Sequence, residues 1–208
     1  MKLDNSSRCI YCGSAQHIGE DYIPPKNLFL DKKNLGLITV PACPRCKKFN
    51  EKNEECLRIF ISSDVTRQKR AARGRFGQPV GVSQGRQKML NAMAPVERVI
   101  FIEKKDGSAV LKMDLSKIVR VIERIVKGLY WHHYGECLSG AISFNIYLKP
   151  PVAGVIKDVL LSKTRLHGIG KGEFRYRFKR SDTDKCQSAW GLSFFKSVHF
   201  LVTTKKKK

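Results

Sequence analysis

The chain has 208 residues, 42% of them hydrophobic, with a formal net charge of +22 and a pI near 9.9. That apolar content excludes a wholly disordered chain; no run is apolar enough to cross a bilayer, and the first residues lack the apolar stretch of a signal peptide, so the sequence reads as cytoplasmic. A charge of this size repels itself unless a polyanion neutralises it, which makes nucleic acid the expected partner, ahead of a membrane surface. The charge is uneven: ten Lys/Arg against seven Asp/Glu over 1–62, seven against one over 63–94, and 23 against 10 over 95–208.

The most specific pattern is a pair of Cys-x-x-Cys knuckles, Cys9/Cys12 and Cys43/Cys46, with 30 residues between them. Each knuckle turns two sulfurs toward one edge of a metal ion, and two knuckles complete a tetrahedron, so these four cysteines predict a structural Zn²⁺. In a reducing compartment this reading is stronger than disulfides. Cys56, Cys137 and Cys186 are read as small buried hydrophobes. Between the knuckles, residues 17–23 predict a strand stopped by Pro24-Pro25, Lys26–Leu30 one helical turn, and Leu37–Val40 a second strand. After Cys46 the chain predicts a helix over Lys47–Ile61. Phe49, Asn53, Cys56 and Phe60 share one face of it, and Glu51, Glu54 and Glu55 point elsewhere. Knuckle, hairpin, knuckle and helix make a treble-clef ββα zinc finger over residues 1–62. Metal binding in such small modules is worth about 10–16 kcal/mol.

Residues 63–94 read as a basic, Gly-rich linker, in which Arg67, Lys69, Arg70, Arg73 and Arg75 are candidate nucleic-acid contacts and the recurrent glycines oppose a rigid helix. Residues 95–208 predict an α+β domain with an antiparallel sheet and one long helix. Val96–Lys104 and Ser108–Met113 flank Asp106-Gly107, a hairpin signal. The long helix is capped by Asp114 or Ser116, carries an apolar stripe of Leu115, Ile118, Val119, Ile122, Ile125, Val126 and Leu129, and stops at Gly135. A strand over Ala141–Leu148 and a short helix over Val152–Ser162 follow. In Glu173–Arg180 a period of two sets Phe174, Tyr176 and Phe178 on one face. Arg175, Arg177 and Lys179 occupy the other, where they are candidates for lying along a phosphate backbone. Trp190–Thr203 supplies the last strands, and Lys205–Lys208 reads as a disordered basic tail.

The segments Cys9-x-x-Cys12, Asp21-Tyr22-Ile23-Pro24-Pro25-Lys26 and Val40-Pro41-Ala42-Cys43-Pro44-Arg45-Cys46-Lys47, followed by Glu54-Glu55, resemble the His-Asn-His (HNH) endonuclease family, specifically an uncharacterised bacterial branch. Lys127–His133 and Ala189–Phe195 also look like that branch. The resemblance implies a ββα-metal site for phosphodiester hydrolysis, acting on DNA before RNA and using a catalytic Mg²⁺ or Mn²⁺ besides the structural zinc. By the same resemblance Asp21 is the metal-holding aspartate and Glu54 or Glu55 the helix acid. Tyr22 stands where the family has its general-base histidine, and Lys47 where it has its bracing asparagine. A phenol of pKa about 10 is roughly 0.1% ionised at neutral pH, a shortfall of around 4 kcal/mol against imidazole. His17, five residues earlier, is the nearest replacement base. Asn50 is an alternative brace, and His132-His133 could approach from the long helix. Two readings follow: an HNH-type endonuclease with an altered base, or a non-catalytic zinc-stabilised module that binds nucleic acid or docks on a protein partner in a larger complex.

Overall fold

The computed structural model describes residues 8–16, 18–29, 35–67, 100–103, 109–112, 115–138, 142–148 and 164–207. His17, residues 68–94, the Asp106-Gly107 turn and the helix expected over 152–162 lie outside them. Strands β1 (Gly19–Ile23) and β2 (Ile38–Ala42) pair antiparallel, with Asp21 opposite Val40 and Tyr22 opposite Thr39. A single 3-10 turn covers Lys26–Leu28. Helix α1 runs from Pro44 to Arg67, longer at both ends than the expected 47–61. Pro44 is tolerated there because the first helical N–H has no intrahelical acceptor to lose. β3 (Ile100–Glu103) and β4 (Ala109–Lys112) form the expected antiparallel hairpin.

Helix α2 (Leu115–Tyr134) is the long helix. Gly135 ends it at φ 64°, with its N–H donating to the Trp131 carbonyl at 2.7 Å. Ile118, Val121, Ile122, Ile125, Val126 and Leu129 are all buried, which is the i, i+3, i+4, i+7 pattern of one broad face. Two stripe positions depart from expectation: Leu115 is exposed and Val119 only half-buried, because the buried arc turns toward Val121 and Tyr130 instead.

Strands β5 (Ile142–Leu148), β6 (His167–Ile169), β7 (Phe174–Arg180), β8 (Ser188–Phe194) and β9 (Val198–Lys206) build one antiparallel sheet, in the order β5-β9-β8-β7-β6. The register sets Ile146, Val202, Trp190 and Phe178 in one row across four strands, so a single face of the sheet is apolar. Phe178 stacks on Trp190 with centroids 4.8 Å apart. Lys205 and Lys206 correct the expectation of a disordered tail: they close β9 opposite Ser143 and Ile142, where β5 supplies an extended backbone to bond. Cys56 is buried as expected, whereas Cys137 and Cys186 are only half-buried.

Residues from 1–62 and from 95–208 share one apolar core. Helix α2 touches α1, β1, β2 and β5, and α1 reaches β9, where Phe60 and Phe200 meet at 6.4 Å between centroids. Phe29 lies on Phe195 and on Gly170, where a Cβ would stand 2.6 Å from the Phe29 ring. The tightest approach is at Gly128 of α2, where a Cβ would come within 2.4 Å of the fully buried Ile23 side chain. Alanine there gains about 1 kcal/mol of helix preference but forces overpacking worth about 1–3 kcal/mol or more. Gly128→Ala is therefore expected to destabilise the protein by about 1–2 kcal/mol in urea unfolding.

Candidate metal centre and basic groove

The loop before β1 and the first turn of α1 bring Cys9, Cys12, Cys43 and Cys46 together, all four sulfurs lying within 4.8 Å of one another. Cys12 Sγ and Cys43 Sγ are 3.7 Å apart, close to the edge of about 3.8 Å that a tetrahedron with Zn–S bonds of ~2.3 Å requires. The backbone folds for this purpose: the Gly13 N–H bonds the Cys9 carbonyl at 2.8 Å with Gly13 at φ 74°, and the Lys47 N–H bonds the Cys43 carbonyl at 3.1 Å to open α1. The Cys46 backbone N–H draws the Cys43 thiol down to about 7, while burial pushes Cys46 up. Four cysteines in this arrangement could hold a metal ion such as zinc, and they form the only such cluster among the described residues.

A second constellation lies beside it. Arg124 of α2 reaches between β1 and α1 and pairs with Asp21 and with Glu54. Its Nε donates to Asp21 Oδ2 at 2.9 Å, and the Tyr11 hydroxyl donates to the same oxygen at 2.9 Å. Asp21 Oδ1 accepts a second Arg124 N–H and the backbone N–H of Tyr22, the latter at 3.0 Å. Four donors thus meet the four acceptor directions of one carboxylate. Asp21, Arg124 and Glu54 are 3%, 4% and 6% exposed. Burial pushes the Glu54 carboxyl up and Arg124 pulls it back; burial and the adjoining Asp21 charge raise the Tyr11 phenol well above its ordinary range. Glu54, expected to point away from the core face of α1, is instead turned inward because Arg124 draws it there, and Phe49, expected inside, is 55% exposed. A divalent cation does not fit this pair as folded: Asp21 has no free acceptor, and the space between the carboxylates holds a guanidinium.

The other expected site residues are dispersed. Strand alternation sends Tyr22 to the face opposite Asp21, where Lys26 Nζ lies 5.5 Å from its ring centroid. Glu55 pairs with Arg58 one turn along α1. Lys47 Nζ donates to the Glu20 carbonyl at 3.1 Å and so ties α1 to β1. His17 and the Asn50 side chain lie outside the described residues, as do Lys69, Arg70, Arg73 and Arg75; Arg67 is the last residue of α1. On β7 the expected alternation holds for Phe174 and Tyr176, which are buried, and for Lys179, which is exposed; Arg175, Arg177 and also Phe178 are half-buried. Arg124 lies at the middle of α2, while His132 and His133 stand in its last turn. There His133 Nε2 is 2.9 Å from the Tyr176 hydroxyl, and burial with His132 and His167 nearby lowers it to about 4.

Between the first knuckle, the start of α1 and the adjoining face of α2 lies an open groove of about 510 Å³. Tyr11, Arg45, Phe49, Arg120, Glu123 and Lys127 line it together with Cys12 and Cys46 of the cysteine cluster, with Arg124 beneath. Arg120 stands over the Phe49 ring at 5.5 Å and Lys127 over Phe144 at 5.6 Å. Sequence reasoning missed Arg124 and this groove; the available signal was a charged residue between Val121 and Gly128, inside the apolar arc of α2. No protein-family model matches the chain, and no match was found among curated proteins or solved structures.

Two outcomes follow from this geometry. The purified chain is expected to carry one zinc by elemental analysis, and Cys43→Ser to lose it together with much of the thermal stability that about 10–16 kcal/mol of binding confers. Arg124→Met, leaving two buried carboxylates unpaired, is expected to cost about 3–5 kcal/mol in chemical denaturation.

Proposed function

We propose that this protein is a zinc-stabilised nucleic-acid-binding module of HNH-like, treble-clef ββα design that does not hydrolyse its ligand. The observation that carries the reading is Arg124 lying between Asp21, which the resemblance would assign to a catalytic cation, and Glu54, one of its two candidate helix acids; the other, Glu55, is paired with Arg58. A guanidinium has no open coordination position and cannot give up a proton near neutral pH, so it offers no route to an activated water. Tyr22, on the other face of β1, is too weak a base to compensate. What the arrangement retains is a rigid scaffold. Four sulfurs that could hold an ion gather at one end of the hairpin, Lys47 ties that same end to α1 through the Glu20 carbonyl, Arg124 grips the middle of β1 at Asp21, and the chain around them carries a charge of +22. That charge and the basic groove support nucleic acid as the ligand.

The test is a plasmid-nicking and binding assay with Mg²⁺ or Mn²⁺ present. The expected result is binding whose affinity falls steeply with salt, through release of counterions, and no nicked product. Nicking that disappears in Asp21→Asn while binding persists would overturn the non-hydrolytic reading. Affinity that stays level from low to physiological salt would count against nucleic acid altogether.

A further inference from the structure

The groove between α1 and α2 has a feature that phosphate binding does not require. Phe49 presents 55% of its surface to solvent at the rim, although aromatic side chains are usually covered. Most of its charged neighbours are cationic, although Cys12 and Cys46 of the cysteine cluster line the same groove. Arg45 precedes it on α1, and Arg120, Arg124 and Lys127 recur at i, i+4 and i+7 along one side of α2. Glu123 is the single carboxylate in the lining. Arg124 is spent on Asp21 and Glu54, but no ion pair joins Arg45, Arg120 or Lys127 to a carboxylate among the described residues. Arg120 and Lys127 lie seven residues apart, about 10.5 Å along the helix axis, with aromatic rings beside both. Cations alone would suit any polyanion. An exposed ring alone would suit an apolar partner. The two together fit a ligand that carries phosphates and flat apolar faces side by side.

We infer that the groove takes single-stranded nucleic acid, with one base stacked on Phe49 and the flanking phosphates on Arg45, Arg120 and Lys127. This rests on the nucleic-acid reading above and narrows it. A duplex turns only its sugar–phosphate exterior and groove edges outward, and its base faces are already stacked on each other. A phenyl ring gains nothing from that exterior. An unpaired strand offers the π-face of every base, and stacking on an aromatic side chain is tolerant of sequence because all bases have such a face.

The experiment is fluorescence anisotropy on the intact, zinc-loaded chain with three labelled 12-mers: oligo-dT, an abasic strand with the same phosphates, and a duplex. Oligo-dT is expected to bind most tightly. Phe49→Ala should weaken it by about 5- to 150-fold, the equivalent of ~1–3 kcal/mol per stacked base at ~1.4 kcal/mol per factor of ten, and leave the abasic strand unchanged. Arg120→Ala should weaken both strands. Phe49→Trp should bind oligo-dT at least as well as the parent, which guards against a Phe49→Ala that has merely unfolded. Equal affinity for oligo-dT and the abasic strand, no effect of Phe49→Ala, or a preference for the duplex would overturn the stacking site while leaving nucleic-acid binding intact. Failure of all three ligands to bind would instead overturn the nucleic-acid reading itself.

Discussion

A guanidinium shared by two buried carboxylates fixes how this molecule is put together. Asp21 comes from the first strand, Glu54 from the first helix and Arg124 from the second, with Asp21 and Arg124 103 positions apart in the chain. Removing such charges from water is costly, and their mutual attraction about repays it when every acceptor is met; what a completed network adds is a unique geometry. Asp21 is completed in this way by Tyr11, the Tyr22 N–H and two nitrogens of Arg124. Sliding α2 by one turn along the hairpin would leave two carboxylates and a guanidinium unpaired at once. Apolar contacts around Ile23 and Gly128 tolerate no such slide either. Charge and shape therefore select the same docking.

The same contact separates scaffold from chemistry. A divalent cation between two carboxylates keeps coordination positions for water and phosphate, and the reactivity of a metal site lies in those positions. Arginine supplies a comparable charge balance in the same space with none of that reactivity. It also makes the position independent of metal supply, whereas the four sulfurs nearby remain a site for an ion. The cysteine end of the hairpin could thus take a metal, while its middle, at Asp21, is closed by the protein's own cation. The groove lies over Arg124 and past Phe49, beside the four cysteines.

Much of the architecture was legible in the sequence because it rests on local rules. The two cysteine knuckles, the paired strands around Pro24-Pro25, the stripe of α2 and its stop at Gly135 each depend on spacing or on a single residue's backbone preference. The alternation in β7 likewise placed Phe174 and Tyr176 inside and Lys179 outside. What the sequence concealed was pairwise and distant. Glu54 looks like any surface glutamate on α1 until a partner 70 residues away is known. Phe49 looks like a core residue by helical period, but the core side of α1 is set by where α2 lies, and that choice favours Asn53, Cys56 and Leu57. The lysines closing β9 resemble a solvated tail in isolation; only the register with β5 makes them strand.

Because Arg124 lies so far along the chain from its partners, the order of synthesis acquires a cost. The hairpin and α1 leave the ribosome first, with Asp21, Glu54 and Ile23 uncovered. At ~5–20 residues per second, α2 follows only after several seconds. For that interval the early half is held by the β1–β2 pairing, by Lys47 on the Glu20 carbonyl and by the four cysteines that could take an ion. Until then the flank around Ile23 is an apolar surface without its cover, and the hairpin and α1 are completed only by a helix made later.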